Sequence, residues 1–272
     1  MSIATVNSPR FGALGVFAVA YLAFIYIPVL FLPLFSFNDS IYIAFPLKGF
    51  TLEWYGKMAE SKGLITALEN SLRLGGVVAV LSTVLGTLAA KAVTRYRLPG
   101  SGPTVAFIML PLVIPGIIMG IALLVLASYL GLTLSLFTIG VGHLLITVPF
   151  SMLVMISRLE GFDKNLEEAS SDLGENAWTT FWRVTFPLAI PGLIASLLLT
   201  FTISFDEFIL AFFLAGTEVT LPIYIWSQLR FPAKLPAVLA LGAVILASSF
   251  VVVTFAEWFR RRGVQIKTSS GV

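Results

Sequence analysis

Carboxylates inside an apolar run are the residues of this chain best placed to do chemistry. Asp206 and Glu207 sit side by side in a segment, 188–214, that is otherwise free of charge. An ionised side chain in an apolar segment is costly and usually faces an ion or solute path. Neighbouring helical residues point about 100° apart, so the two carboxylates cannot line one strip. One is expected to face the path and stabilise a cation, while the other pairs with Arg73 or a second chain. The competing reading is a helix-end charge among lipid headgroups. His143, the only histidine, lies mid-segment near Thr147, where a hydrogen-bonded packing role competes with a place on the path. Phe205 and Trp226 complete this candidate set.

Other chemistry is excluded. There are no cysteines, so disulfides, thiolate metal sites and Cys nucleophiles are ruled out. One histidine leaves nothing for a His-rich metal site. A phosphate-binding G-x-x-x-x-G-K-[ST] loop needs Gly-Lys. That pair occurs only at Gly56-Lys57, followed by Met58 and with Thr51 at the first glycine position. The chain is therefore expected to bind no cofactor or metal and to carry no catalytic residues.

The elements that must position these residues follow from composition. Of 272 residues, 58% are hydrophobic and 11% charged, with a mean hydropathy of +0.97. A soluble chain is roughly a quarter charged. Crossing a bilayer takes about 20 apolar residues in a helix. Six segments qualify, at 11–37, 70–92, 104–130, 132–157, 188–214 and 235–259, and none alternates as barrel strands do. The first is too long for the 7–15-residue core of a secretory signal and is read as a retained helix. The net charge of +3 is too small to suggest nucleic acid. With the N-terminus inside, eleven Lys and Arg fall in inner loops and five in outer ones, with Arg73 near the boundary. By the positive-inside rule both termini are then cytoplasmic. Pro28, Pro33, Pro111, Pro115, Pro149 and Pro191 predict kinked spans. Gly116 and Gly120 fit close helix approach.

The connection 158–187, RLEGFDKNLEEASSDLGENAWTTFWRVTFP, is the most polar stretch and far longer than two spans need. Asp163 is a good N-cap, and Glu167 and Glu168 favour the positive end of the helix that follows. Gly174 suits a left-handed C-terminal position. Asn176 can cap a second short helix that ends at Pro187. On it Trp178, Phe181, Trp182 and Phe186 fall at helical spacing on one face. That face can dock a partner, lie in the membrane interface, or pack back on its own bundle.

This hairpin resembles the hallmark loop of the permease subunits of ATP-binding-cassette importers. That loop reads E-A-A, three residues, G, nine residues, then I-x-L-P. Glu168, Ala169, Gly174 and Pro187 match in type and spacing, while Ser170, Val184 and Phe186 depart conservatively. Finer features resemble the spermidine/putrescine branch: Ser36-Phe37-Asn38-Asp39-Ser40, Asn70-Ser71-Leu72, Asp172-Leu173-Gly174, Ser204-Phe205-Asp206-Glu207-Phe208, and Leu221-Pro222-Ile223 with Trp226-Ser227.

The resemblance implies an all-α integral membrane protein with six transmembrane helices in the type I ABC importer permease fold (MetI-like), a single permease domain over 1–272. It implies a bacterial inner-membrane location. The implied partners are a second permease, usually a different chain, two ATPase subunits that bind ATP and Mg, a periplasmic substrate-binding protein and membrane lipid. The ATPase contact would fall on Glu167, Glu168, Ala169, Ser170, Asp172, Gly174, Trp178, Phe181 and Pro187. A polyamine is the expected cargo; the alternatives are amino-acid derivatives, opines, phosphonates, thiamine or iron complexes. Two rivals stand outside the family. An ion-coupled secondary transporter should show coupling carboxylates near the midplane; a membrane-anchored assembly or signalling protein would have no path.

Overall fold

A computed structural model describes residues 12–96, 100–163 and 165–264. Among them the chain forms twelve α-helices. These are α1 (Ala13–Ser36), α2 (Glu53–Glu60), α3 (Lys62–Arg95), α4 (Ser101–Val113), α5 (Gly116–Tyr129) and α6 (Leu136–Glu160). They continue with α7 (Asn165–Asp172), α8 (Ala177–Thr180), α9 (Phe186–Asp206), α10 (Ile209–Leu214), α11 (Leu221–Gln228) and α12 (Leu235–Val264). Five helical stretches are long and apolar enough to cross a bilayer, and the bent pair α4–α5 makes a sixth. The chain divides into two compact units, 1–61 with 228–272, and 62–227.

In the first unit α1 and α2 pack on α12. Most of α1 is exposed and apolar, Leu14, Phe17 and Phe24 included, as suits a helix solvated by lipid. The loop after it is tied by Asn38, which is fully buried. The Asn38 side-chain oxygen accepts the amide of Lys48 at 3.0 Å. Its carbonyl accepts the Trp54 indole N–H at 2.8 Å, and its backbone pairs with Phe50 in an isolated bridge. Ser36 and Tyr55 share a hydrogen bond of 2.8 Å. The Ser36–Ser40 motif therefore folds the loop, because its buried polar groups find their partners within it.

The core of the second unit is the triangle of α3, α6 and α9. One apolar cluster joins Leu74, Val78, Met119, Ile139, Leu210 and Leu214. A second, nearer the polar hairpin, joins Ala90, Met152, Met155, Leu159 and Ala189. Between them runs a seam of buried hydroxyls. Ser82 bonds Thr147 at 2.6 Å, Ser151 bonds Ser196 at 2.7 Å, and Thr200 donates to the Ser196 carbonyl at 2.8 Å. Small residues let the helices approach closely enough for this.

Two expected spans are broken. Segment 104–130 is delivered as α4 and α5, bent by 100° at Ile114–Pro115. Ile114 is extended, with ψ 128°, because a residue before proline is pushed out of the helical region. Segment 188–214 ends its long helix at Asp206 and resumes as α10. Pro187 does not end a helix as its position suggested. A π turn at Phe181–Thr185 carries α8 straight into α9, and Pro187 lies in the first turn of α9. Because the helix runs on unbroken, the missing amide of Pro187 removes one helical hydrogen bond there.

Candidate functional site

The polar hairpin is two short helices joined at a tight corner. Asp163 accepts the amide of Asn165 at 3.0 Å, opening α7. Gly174 then adopts φ +88°, a left-handed conformation that a side chain would strain. Asn176 caps α8 by accepting the amides of Trp178 at 3.0 Å and Thr179 at 2.9 Å. Ser170 and Thr180 hold the two helices together through a hydrogen bond of 3.0 Å. Glu175 pairs with Arg183 across the corner.

The rotation of α7 separates the two adjacent glutamates. Glu167 turns inward, forming an ion pair with Arg95 Nε of α3 at 2.9 Å and accepting the hydroxyl of Thr185. Glu168, Ala169 and Asp172 are exposed. Leu173, at the corner, is 86% exposed. The aromatic face assembles as its spacing predicted. Trp178 and Trp182 lie 5.7 Å apart, and Trp182 and Phe186 4.8 Å apart. Phe181 lies 4.5 Å beneath the Lys91 ammonium. Together with Leu88 and Ala189 these rings line a cavity of about 330 Å³ against α3 and α9. Phe181 and Phe186 of this face thus pack back on their own unit, while Trp178 and Trp182 stay 70% and 45% exposed.

At the far end of α9 the carboxylate pair is also divided. Glu207 accepts the amide of Leu210 at 2.9 Å, capping the break into α10. Asp206 is exposed at the end of α9, and no ion pair engages it among the described residues. The expected link to Arg73 is not formed, since Arg73 pairs with Glu69 at 3.1 Å one helical turn away. Phe205 stacks on Phe201 at 5.7 Å, and Trp226 packs on Phe208 and Phe212. His143 is buried, its Nδ1 2.8 Å from the Ser204 hydroxyl, while its Nε2 has no hydrogen-bond partner among the described residues.

Residues 82–264 match the family described as "Binding-protein-dependent transport system inner membrane component". The chain belongs to that family. It is 33% identical over 248 residues to the spermidine/putrescine transport system permease protein PotC of Escherichia coli K12, covering 91% of this chain and 93% of PotC. It is 32% identical to the putrescine transport system permease protein PotI of the same organism, covering 87% of this chain and 86% of PotI. Its fold matches a chain in the crystal structure of a bacterial alginate ABC transporter in complex with an alginate pentasaccharide-bound periplasmic protein. The TM-score is 0.68, with 19% identity and 96% of each chain covered. The protein is thus an ABC importer permease, a membrane component of a binding-protein-dependent system.

Several residues that organise this permease were not legible as site residues. Arg95 counted only as a loop charge, yet it is the partner of Glu167. Thr185, Thr147 and Ser196 looked like ordinary small polar residues in apolar helices. Asn70 and Ser71 hold the segment after α10: Asn70 donates to the Val219 carbonyl at 3.0 Å, and Ser71 accepts the Leu221 amide at 2.8 Å. Their signal in the sequence was the Asn70-Ser71-Leu72 feature of the resemblance, which gave no hint of what they hold.

Proposed function

We propose that this chain forms half of the translocation path of an ATP-driven polyamine importer. The hairpin of α7 and α8 is the cytoplasmic element that docks into a groove on an ATPase subunit, and that subunit binds and hydrolyses ATP with Mg. A second permease supplies the other half of the path. A periplasmic binding protein delivers the cargo at the Asp206 end, and both termini lie in the cytoplasm.

The observation that carries this reading is the hairpin's construction. An apolar side chain, Leu173, stands almost fully exposed beside acidic Glu168 and Asp172, on a corner that is pinned from within. Helix-in-groove recognition uses such a rigid, preformed element with an apolar anchor. The likeness to PotC and PotI supports the cargo class, as does an exposed carboxylate at the delivery end. A flexible polycation leaving its binding protein would meet Asp206 first.

The test is uptake of labelled putrescine and spermidine by membranes carrying the permease pair, the ATPase and the binding protein. Wild type is expected to accumulate polyamine only with ATP. Asp206→Asn should lower uptake by about tenfold, the value of roughly one charged hydrogen bond. Unchanged uptake at normal protein level would take Asp206 off the path. A wild-type complex that hydrolyses ATP but accumulates neither amine would refute the cargo.

A further inference from the structure

We propose that Arg95 and Glu167 lock the hairpin to α3, so that hairpin and helix move as one body through the transport cycle. This rests on the reading that the hairpin docks an ATPase, and it names how movement there reaches the far end of the unit.

The lock joins four elements at one buried point. Arg95, the last residue of α3, is 6% exposed in its side chain and Glu167 18%. The two carboxylate oxygens of Glu167 go to different places, one to Arg95 of α3 and the other to Thr185 of the π turn. The guanidinium also donates to the Leu159 carbonyl near the end of α6 at 3.0 Å. It lies 4.7 Å over the Phe162 ring in the loop that follows. Lys91, one turn earlier on α3, sits over Phe181. Swinging the hairpin away from α3 would take the Arg95 guanidinium from its carboxylate and Glu167 from its cation, a costly outcome for a buried pair. Moving α3 with the hairpin preserves the Arg95–Glu167 pair and the Lys91–Phe181 contact.

What α3 would carry is also visible. It is a single helix of 34 residues, about 50 Å long at 1.5 Å per residue. It has no proline, and its opposite end holds the segment after α10 through Asn70 and Ser71. A push on the hairpin therefore reaches Val219 and Leu221 through one rod and four side chains, Glu167, Arg95, Asn70 and Ser71. Arg95 is a positioning residue in this scheme and touches no cargo.

The cysteine-free sequence permits a direct test on the assembled transporter in proteoliposomes. The double variant R95C/E167C is made, and binding-protein-stimulated ATP hydrolysis is read before and after bridging with a short, reducible bis-thiosulfonate. Co-purification of the ATPase reports docking separately. The unbridged variant should keep its ATPase but lose the stimulated increment by about tenfold, the scale of a broken buried contact network. Bridging should restore it to within about threefold of wild type, and reduction should remove it again. The charge swap R95E/E167R should recover activity relative to either single change. Stimulation that survives in the unbridged variant, or that the bridge extinguishes, would overturn the lock. An ATPase that fails to co-purify even with wild type would instead overturn the docking reading.

Discussion

Leu173→Asp is expected to strip the ATPase from the permease while leaving the permease folded. Leu173 is 86% exposed and touches little of its own chain, so changing it removes almost no internal packing. In a docking groove it would be the apolar anchor. Burying a leucine contributes about 1.5–3 kcal/mol relative to leaving it exposed. A carboxylate in its place would lose that contribution and would also need a partner in the groove. The acidic side chains beside it, Glu168 and Asp172, make a further negative charge unwelcome. Together the loss reaches about 3 kcal/mol or more, on the order of a hundredfold in affinity. Co-purification of the ATPase with detergent-solubilised permease reads the result directly. Leu173→Met, similar in volume, should retain the ATPase. Equal retention with Asp and Leu would mean that the corner is not the contact.

Gly86→Val is expected to be among the most damaging single changes to the transmembrane unit. Gly86 lies where α3 meets α6. A Cβ built there would come within 2.5 Å of Ser151 Cβ and 2.8 Å of the Met152 amide nitrogen. Backbone cannot rotate away as a side-chain end can. The two helices would have to part, and the Ser151–Ser196 hydrogen bond would part with them. Overpacking of this kind costs about 1–3 kcal/mol, and a stranded buried hydroxyl adds about 1–3 kcal/mol. Gly76 is the matched control on the same helix, because a Cβ there meets nothing within 4 Å. Thermal denaturation in detergent should show Gly86→Val strongly destabilised and Gly76→Ala near wild type. Equal midpoints would contradict the close α3–α6 contact.

The hairpin was legible because its signals are local. Asp163, Gly174 and Asn176 each act on backbone within three residues of themselves, so their types and positions predict a helix, a left-handed corner and a second helix. The aromatic face was legible for the same reason, though its direction was not. Spacing places Trp178, Trp182 and Phe186 together but does not say which way the helix is rolled. The same limit hid the division of labour between Glu167 and Glu168. Adjacent residues differ by about 100° around the axis, and only the packed unit decides which one meets Arg95. The broken spans were half legible. Pro115 marked a kink, but whether a proline bends a membrane helix or breaks it depends on what satisfies the freed carbonyls nearby. At Glu207 no proline marks the break, and the cap it supplies to α10 appears only once the chain has turned. The hydroxyl seam was the least legible feature. Ser82, Thr147 and Ser196 lie far apart in sequence, and only the packing of three helices makes them neighbours.

In the proposed function the exposed corner of the hairpin grips a separate ATP-hydrolysing subunit in the cytoplasm. Thiol cross-linking in native membranes tests it most directly, since Leu173→Cys would be the only thiol in this chain. A covalent product joining the permease to the ATPase is expected with a short bifunctional reagent, and none when Leu166→Cys, on the same hairpin but seven residues earlier, replaces it. Free labelling of Leu173→Cys by a membrane-impermeant maleimide added outside intact cells, with no ATPase adduct, would contradict it.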